Sequence, residues 1–177
     1  KTPYFFETVT PVNAAAFGNK LNDLVSAIKA GNADEHVNKE WFLDLVEKII
    51  FHEFGNHLAL DGIRSVKMET RKEIFRRLTI ARQYMDESFL EIDSIQEIAA
   101  FCNMSEFHFY RTFKQAFKLT PYQYLLEKRL FLARDLVTAG GMSITQIAGH
   151  CNFPDVFTFS KAFKRQFSIA PSHMTPR

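Results

Sequence analysis

Apolar residues recur at helical spacing along most of the chain and predict a series of amphipathic helices. The stretch from Lys20 to Ala30 carries one such stripe and is followed by Gly31, a residue suited to close a helix. A second stretch, Trp41 to Leu60, has its apolar positions at Phe42, Leu45, Val46, Ile49, Ile50 and Phe54. A third helix is predicted from Met68 to Phe89. Alternating residues from Pro3 to Val12 indicate a short N-terminal strand.

The first two helices are joined by a polar loop, Asn32 to Asn38, and are expected to form an antiparallel hairpin. Two helices cannot bury both apolar stripes alone. The hairpin therefore either packs on the following domain or meets a second copy of the chain, which makes a homodimer an alternative. We assign residues 1–66 to this N-terminal hairpin, as a dimerisation region or the remnant of a sensor domain, and residues 67–177 to a separate domain.

A motif in the C-terminal region occurs twice. Its first half reads Ile95-x-x-Ile98-Ala99-x-x-Cys102-Asn103 and recurs 49 residues later, from Ile144 to Asn152. After one inserted residue, its second half recurs at an offset of 50. That half reads Phe107-x-Phe109-x-Arg111-x-Phe113-Lys114-x-x-Phe117-x-x-x-Pro121, and the repeat runs from Phe157 to Pro171 with Lys161 in place of Arg111. A solenoid needs about three or more repeats, so two copies indicate a pair of motifs.

Each copy predicts a short helix, a tight turn and a longer helix, which is the helix-turn-helix pattern. The short helices open with capping boxes at Ser94 with Glu97 and at Ser143 with Gln146; the turns fall at Asn103 and Asn152; the longer helices are capped by Ser105 and Asp155. The two motifs are predicted at about 94–118 and 143–168. The predicted fold class is therefore all-α, with two helix-turn-helix subdomains after the N-terminal hairpin.

A linker helix is predicted between the two motifs, opening at Thr120-Pro121 and running to about Ala139. Its roughly 19 residues span about 28 Å. This length is close to the ~34 Å that separates successive major-groove faces of B-DNA, so both motifs can lie on one side of a duplex. An imperfect match requires the DNA to bend, at a cost of about 1 to 6 kcal/mol.

The longer helix of each copy has two distinct faces on a helical wheel. The buried face carries Phe109, Phe113 and Phe117 in the first copy and Phe159, Phe163 and Phe167 in the second. The opposite face carries Phe107, Arg111, Lys114 and Lys118 in the first copy and Phe157, Lys161 and Lys164 in the second. Because the N-terminal end of this helix enters the major groove in helix-turn-helix proteins, cations there can pair with guanine and a ring can meet a thymine methyl. Cations one turn further on suit phosphates.

Charge is distributed unevenly along the chain. Residues 1–70 hold seven Lys or Arg and ten Asp or Glu, a net charge of −3, whereas residues 71–177 hold fifteen and ten, a net charge of +5. The asymmetry points to a polyanionic partner for the C-terminal region, with a solvated basic face as the alternative. Because the two longer helices carry basic faces with the same arrangement of residues, we favour DNA as this partner over a solvated basic face.

From about Arg71 to Arg177 the chain resembles the DNA-binding domain of the AraC family of transcription regulators, through the duplicated motif and the Thr120-Pro121 linker start. The resemblance implies a seven-helix domain that binds an asymmetric DNA site through two adjacent major grooves, and a separate N-terminal sensing or dimerising region. The base-contacting positions of the family fall on Phe107, Tyr110, Arg111, Phe157, Thr158, Ser160 and Lys161. Predicted backbone contacts are His108, Lys114, Lys118, Lys164 and Arg165.

The chain departs from the family pattern at several points. Asn103 and Asn152 stand where glycine is usual, and Lys161 stands where arginine is common, which removes a bidentate guanine contact. Residues 1–70 are too few and too helical for the β-barrel sensor of many members, although Tyr4 to Thr10 fits its last strand. We therefore expect an effector domain to be missing from this chain or never to have been present.

Other constellations in the sequence favour structural roles. His52 and His57 are five residues apart rather than the four of a zinc-protease motif, so a metal-dependent enzyme is disfavoured. Cys102 and Cys151 lie at equivalent core positions and are expected to pack. Two cysteines, no signal peptide and no membrane-length apolar run indicate the cytoplasm.

Three classes of function follow from these patterns. The first is a DNA-binding regulator that is not an enzyme and needs no cofactor, with double-stranded DNA and RNA polymerase as partners and no membrane. The second is a helical protein-protein interaction module without sequence-specific DNA binding, which predicts no steep salt dependence of DNA binding. The third is a metal-dependent enzyme at His52 and His57, which elemental analysis for zinc would test.

Overall fold

The computed structural model describes residues 18–31, 39–64 and 67–174. They form nine α-helices: α1 Gly18–Ala30, α2 Lys39–Gly62, α3 Met68–Ser88, α4 Ile95–Phe101, α5 Glu106–Phe117, α6 Pro121–Ala139, α7 Ile144–His150, α8 Val156–Phe167 and α9 Pro171–Met174. These described ranges contain no strand, which confirms the all-α class. The strand predicted from Pro3 to Val12 and the loop predicted from Asn32 to Asn38 lie outside the described residues.

The chain divides into two compact units, an N-terminal unit, Lys1–Arg76, and a C-terminal unit, Arg77–Arg177. The division falls inside α3, ten residues after the boundary predicted at residue 66. Among the described helices of both units, none is long and apolar enough to cross a bilayer.

In the N-terminal unit, an ion pair joins the beginning of α1 to the beginning of α2. The Lys20 Nζ lies 2.5 Å from an Asp44 carboxylate oxygen and donates to the Trp41 carbonyl oxygen at 3.4 Å. The Lys48 Nζ donates to the same Asp44 oxygen at 3.0 Å. Together the two lysines lower the pKa of Asp44, chiefly through their hydrogen bonds.

The apolar stripe predicted for α2 is only partly buried. Leu45 is buried and Val46 is half-buried, whereas the other four predicted stripe residues are exposed: Phe42, Ile49, Ile50 and Phe54. The physical reason lies in the sequence of the helix. Consecutive apolar pairs such as Ile50 and Phe51 point about 100° apart, so a single contact face cannot cover all of them. The helix therefore presents a broad apolar surface.

The C-terminal unit consists of two three-helix repeats and the short α9. The first repeat comprises α3 from Arg77 onward, α4 and α5; the second comprises α6, α7 and α8. The leading helices also repeat in sequence, as Arg77-Leu78-x-x-Ala81-Arg82 and, 52 residues later, Arg129-Leu130-x-x-Ala133-Arg134. The duplication is thus longer than the helix-turn-helix motif alone.

Equivalent positions of the two repeats form their buried cores. In the second repeat one cluster contains Leu130, Ala133, Val137, Ile147, Ala148, Cys151, Phe159 and Phe163. The corresponding residues of the first repeat are all buried as well: Leu78, Ala81, Met85, Ile98, Ala99, Cys102, Phe109 and Phe113. Helices α5 and α8 are therefore each held by a core built mainly from their own repeat, and the pattern of phenylalanines sets which face turns outward.

Cys102 and Cys151 are both free thiols within these cores. Burial raises the pKa of each thiol to about 11. Because the thiolate is the reactive form, both cysteines are inert at neutral pH, as expected for residues that pack.

The tight turns take the backbone conformation predicted from their asparagines. Asn103 has φ 54° and Asn152 has φ 55°, both in the left-handed region. The Met104 and Phe153 amides that follow donate back to the Ala99 and Ala148 carbonyl oxygens at 2.9 and 3.0 Å, respectively. This bonding closes the short helix of each motif.

The predicted helix caps are present in both repeats. Side chains of Ser94, Ser105, Thr120, Ser143 and Asp155 each accept a hydrogen bond from a backbone amide three residues on. Ser143 with Gln146 forms both bonds of the predicted capping box. In the first repeat the Glu97 carboxylate instead accepts a hydrogen bond from the Tyr84 hydroxyl at 2.5 Å, which ties α4 to α3. Thr120 with Gln123 forms a capping box that the sequence analysis missed.

Candidate nucleic-acid interface

Helix α5 presents the outward face that the wheel predicts. Phe109 and Phe113 are fully buried, and their rings meet edge to face with centroids 5.4 Å apart. On the opposite side, Phe107 is 75% exposed. Four further predicted contact residues on α5 and its C-cap are exposed: Tyr110, Arg111, Lys114 and Lys118. The buried rings thus orient the polar face toward solvent.

Helix α8 has the same construction. Phe159 and Phe163 are fully buried, whereas Phe157 is 83% exposed. The other predicted contact residues on this helix are also exposed, apart from the half-buried Ser160: Thr158, Lys161, Lys164 and Arg165. Such an exposed phenylalanine near the start of a helix contributes little to the core that the described residues form, and it occurs at the same position in both repeats.

On α5 the exposed ring and the first cation contact each other. The Arg111 guanidinium lies over the Phe107 ring, 5.7 Å from its centroid. A cation–π contact of this kind limits the rotamers of an exposed arginine and so reduces the entropy it loses on binding. Phe107 and Arg111 therefore form one contact unit in the N-terminal half of α5, the part of the helix that approaches the major groove in helix-turn-helix proteins.

The N-terminal end of α8 carries a capping carboxylate. An Asp155 oxygen accepts from the Thr158 amide at 2.7 Å, and the other accepts from the Thr158 hydroxyl at 2.7 Å. These hydrogen bonds lower the pKa of Asp155. The Thr158 side chain is thus held by the cap with its hydroxyl proton engaged, which leaves its hydroxyl lone pairs and its methyl group available to a ligand.

His108, on the flank of α5, is half-buried. Burial lowers the pKa of its imidazole, and the nearby Arg111 and Arg77 guanidinium groups lower it further. The ring is therefore largely neutral at pH 7 in the free protein, although its position predicts a phosphate contact.

Lys118 lies at the C-terminal end of α5 and adopts a left-handed conformation with φ 63°. Its Nζ donates to the Gln115 carbonyl oxygen at 2.8 Å. The side chain thus folds back on its own helix. Ser168 takes the equivalent place after α8, with φ 61°. The sequence shows no glycine at these positions and did not predict the conformation.

Arg129 on α6 is a further functional candidate, and the sequence analysis missed it. Its guanidinium donates to backbone carbonyl oxygens of Phe89, Ile92 and Asn152. The sequence does mark this residue in one way, because Arg129 occupies the same position in the leading helix of the second repeat as Arg77 does in the first.

Asp86 also ties α6 to α3. One of its carboxylate oxygens accepts from the Tyr124 hydroxyl at 2.7 Å and pairs with the Lys128 Nζ at 2.6 Å. Burial and the Asp86 carboxylate raise the pKa of Tyr124, so its hydroxyl remains a donor. These contacts anchor the linker helix to the first repeat.

His52 and His57 both lie on α2 and are half-buried. Across the parts of the chain that the structure describes, no three His, Cys, Asp or Glu side chains are grouped to hold a metal ion.

The fold and the paired basic helices define a double helix-turn-helix protein, and comparison with known proteins agrees. The helix-turn-helix domain family matches residues 98–177. A solved transcriptional regulator with an AraC-type DNA-binding domain, from Chromobacterium violaceum, is 34% identical with a TM-score of 0.51, covering 55% of this chain and 88% of that one. The DNA-binding domain of AdpA, a global transcriptional factor solved in complex with a target DNA, is 26% identical with a TM-score of 0.52, covering 55% and 87%.

Among curated proteins, the probable transcriptional regulator LumQ of Photobacterium leiognathi is 29% identical over 127 residues, which is 71% of this chain and 51% of LumQ. The chain thus spans about half the length of this relative. These relatives are transcription regulators rather than enzymes. The chain belongs to the AraC family of transcription regulators, as its duplicated motif predicted.

Proposed function

We propose that this protein is a sequence-specific transcription regulator that reads two adjacent major grooves of double-stranded DNA with α5 and α8. The observation that carries the proposal is the matched outward face of the two helices. Each presents an exposed phenylalanine followed by a cation one turn later, as Phe107 with Arg111 and Phe157 with Lys161. The DNA complex of the AdpA domain, 26% identical to this chain, supports DNA as the partner.

The residues divide into base contacts and backbone contacts by position on the helix. We assign base contacts to Phe107, Tyr110, Arg111, Phe157, Thr158, Ser160 and Lys161. We assign backbone contacts to His108, Lys114, Lys118, Lys164 and Arg165. Arg111 has the planar fork that pairs with guanine O6 and N7, whereas Lys161 offers a single point charge. The first motif is therefore expected to discriminate bases more strongly than the second.

The length of the linker helix α6 limits the distance between the two contact faces. Helix α6 has 19 residues, so it is about 28 Å long. Successive major grooves on one side of B-DNA are about 34 Å apart. Because the helix is shorter than the distance between the grooves, simultaneous contact with both grooves requires a modest bend of the DNA toward the protein.

The proposed partners other than DNA are RNA polymerase and a second copy of the chain. The exposed apolar side chains of α2, among them Phe42, Phe51 and Phe54, favour an interaction surface on the N-terminal unit, and we assign it to a homodimer. No cofactor is needed for DNA readout. A regulator must reach the genome, so we place the protein in the cytoplasm.

Selection of random duplexes by the purified chain at about 0.15 M salt, followed by sequencing, tests the function. We expect enrichment of one asymmetric site with two blocks about one helical turn apart. Retention of DNA only at low salt with no enriched sequence would contradict sequence-specific readout and favour the protein-interaction module.

The lowered pKa of His108 predicts a pH dependence of DNA binding. A phosphate beside the ring favours its protonated form, so the pKa of His108 rises in the complex and DNA binding takes up a proton. We expect the affinity for duplex DNA to increase as the pH falls from about 8 to about 6, and His108→Gln to reduce that slope. His150→Gln, at an exposed histidine on α7, is the matched control. An unchanged slope in His108→Gln would remove His108 from the phosphate contacts.

A further inference from the structure

We propose that Arg129 and Asn152 together set the spacing between α5 and α8, and so fix how many base pairs separate the two blocks of DNA that the protein reads. The inference rests on the proposed function, because it explains how α5 and α8 are held at the distance needed to contact two DNA blocks at once. Both are positioning residues, because they act through the backbone that carries the recognition helices. We call their set of hydrogen bonds the Arg129–Asn152 clip.

The Arg129 guanidinium joins the two repeats. Its Nε donates to the Phe89 carbonyl oxygen at 2.9 Å and its Nη2 donates to the Ile92 carbonyl oxygen at 2.7 Å, both between α3 and α4. Its Nη1 donates to the Asn152 carbonyl oxygen at 3.3 Å, in the turn between α7 and α8. Because a guanidinium is planar and rigid, these bonds define the relative positions of the three carbonyl groups.

Asn152 adds a second connection in the opposite direction. Its side-chain Nδ2 donates to the Leu90 carbonyl oxygen at 2.9 Å, in the same segment between α3 and α4. The residue also supplies the left-handed conformation of the turn, with φ 55°. Glycine can supply that conformation but has no side-chain amide to donate this bond. The structure thus gives asparagine at this position a role that the usual glycine cannot fill.

The clip joins the segment that precedes the first helix-turn-helix motif to the turn inside the second motif. The segment it binds in the first repeat leads into α4 at Ile95, and the turn it binds in the second leads into α8 at Val156. Beside it is a cavity of about 260 Å³, lined in part by Asp93, Tyr122, Arg129, Asn152 and Thr158. Because of this cavity, side-chain packing alone does not fix the position of the α7–α8 turn relative to the segment between α3 and α4. The hydrogen bonds of the clip fix that position.

The partial burial of Arg129 makes the bonds of the clip stronger than surface contacts. Burial lowers the pKa of its guanidinium, and the charge of Asp93 opposes that shift. The group stays protonated, so its donors form charge-assisted hydrogen bonds away from bulk water.

The first repeat provides matched controls within the same chain. Arg77, equivalent to Arg129, donates through Nη1 to the Asn103 carbonyl oxygen at 2.9 Å, the counterpart of the bond to Asn152. Asn103, equivalent to Asn152, has φ 54° and is exposed. Both of these residues belong to the first repeat, so substitutions there remove equivalent chemistry without touching the clip.

The experiment uses the full chain and a library in which the two blocks of the selected site are separated by a varied number of base pairs. The test variants are Arg129→Lys, which keeps the charge but loses the fork, and Asn152→Gly, which keeps the turn but loses the amide. The controls are Arg77→Lys and Asn103→Gly. Thermal unfolding of every variant, and binding to DNA with the first block alone, are measured in parallel.

We expect the wild type and both controls to prefer one gap. In the two test variants the preference over gaps one base pair longer or shorter is expected to fall by roughly tenfold, the equivalent of about one lost hydrogen bond, while binding to the first block alone is unchanged. If Arg129→Lys does not fold, the gap preference of Asn152→Gly still tests the role of the clip. An unchanged gap preference in a folded Asn152→Gly variant would overturn the proposal. Failure of the wild type to select a two-block site would instead overturn the proposed function.

Discussion

Phe159→Ala is expected to lower the free energy of unfolding of the C-terminal unit by about 3 to 5 kcal/mol. Phe159 is fully buried, and its ring centroid lies 5.2 Å from that of Phe153 and 5.5 Å from that of Phe163. Truncation removes these contacts and leaves a cavity between α6, α7 and α8. Urea denaturation followed by circular dichroism measures the loss.

Phe157→Ala is the matched control, because it deletes the same ring from the same helix at a position that is 83% exposed. We expect its free energy of unfolding to stay within about 0.5 kcal/mol of the wild-type value. We also expect weaker binding to the selected DNA site. Equal destabilisation by the two substitutions would show that the assigned faces of α8 are wrong.

Arg111→Ala is expected to weaken binding to the selected site by about 1 to 3 kcal/mol, or roughly 5- to 150-fold. The reason is the loss of a guanidinium that is exposed in the N-terminal half of α5 and already oriented over the Phe107 ring. Binding to random duplex should change far less, since a base contact contributes only at its own base. Fluorescence anisotropy titrations with both duplexes at one fixed salt concentration measure the two effects.

Lys114→Ala, one turn further along α5, is the matched control for a backbone contact. We expect it to weaken binding to the selected and random duplexes alike and to lower the slope of log affinity against log salt by about one. Arg111 would lose its assigned role if its substitution weakened both duplexes equally, as a phosphate contact does.

Several elements of the fold could be derived from the sequence because they depend on local chemistry. The left-handed turns at Asn103 and Asn152, the N-caps of the repeats and the start of α6 after Thr120 were predicted and are present. The burial of Phe109 and Phe113 also follows from helical periodicity alone. The roles of the outward residues in DNA binding stay predictions.

Other features could not be derived, and their physical causes differ. The predicted stripe of α2 is largely exposed. Consecutive apolar residues such as Ile49 and Ile50 point in different directions from the helix, so their spacing does not show which face of α2 is buried. The left-handed conformation of Lys118 was missed, because the sequence carries no glycine or asparagine there to mark it.

The sequence by itself determined the all-α class, the duplicated helix-turn-helix motif and the outward faces of its two longer helices, because helix periodicity, capping and turn formation are interactions between residues a few positions apart. Only the tertiary structure decided how the two motifs are joined. Arg129 bonds carbonyl groups 37 and 40 residues earlier and 23 residues later in the chain. Every residue carries a backbone carbonyl, so no pattern of side chains can identify such acceptors before the chain is folded.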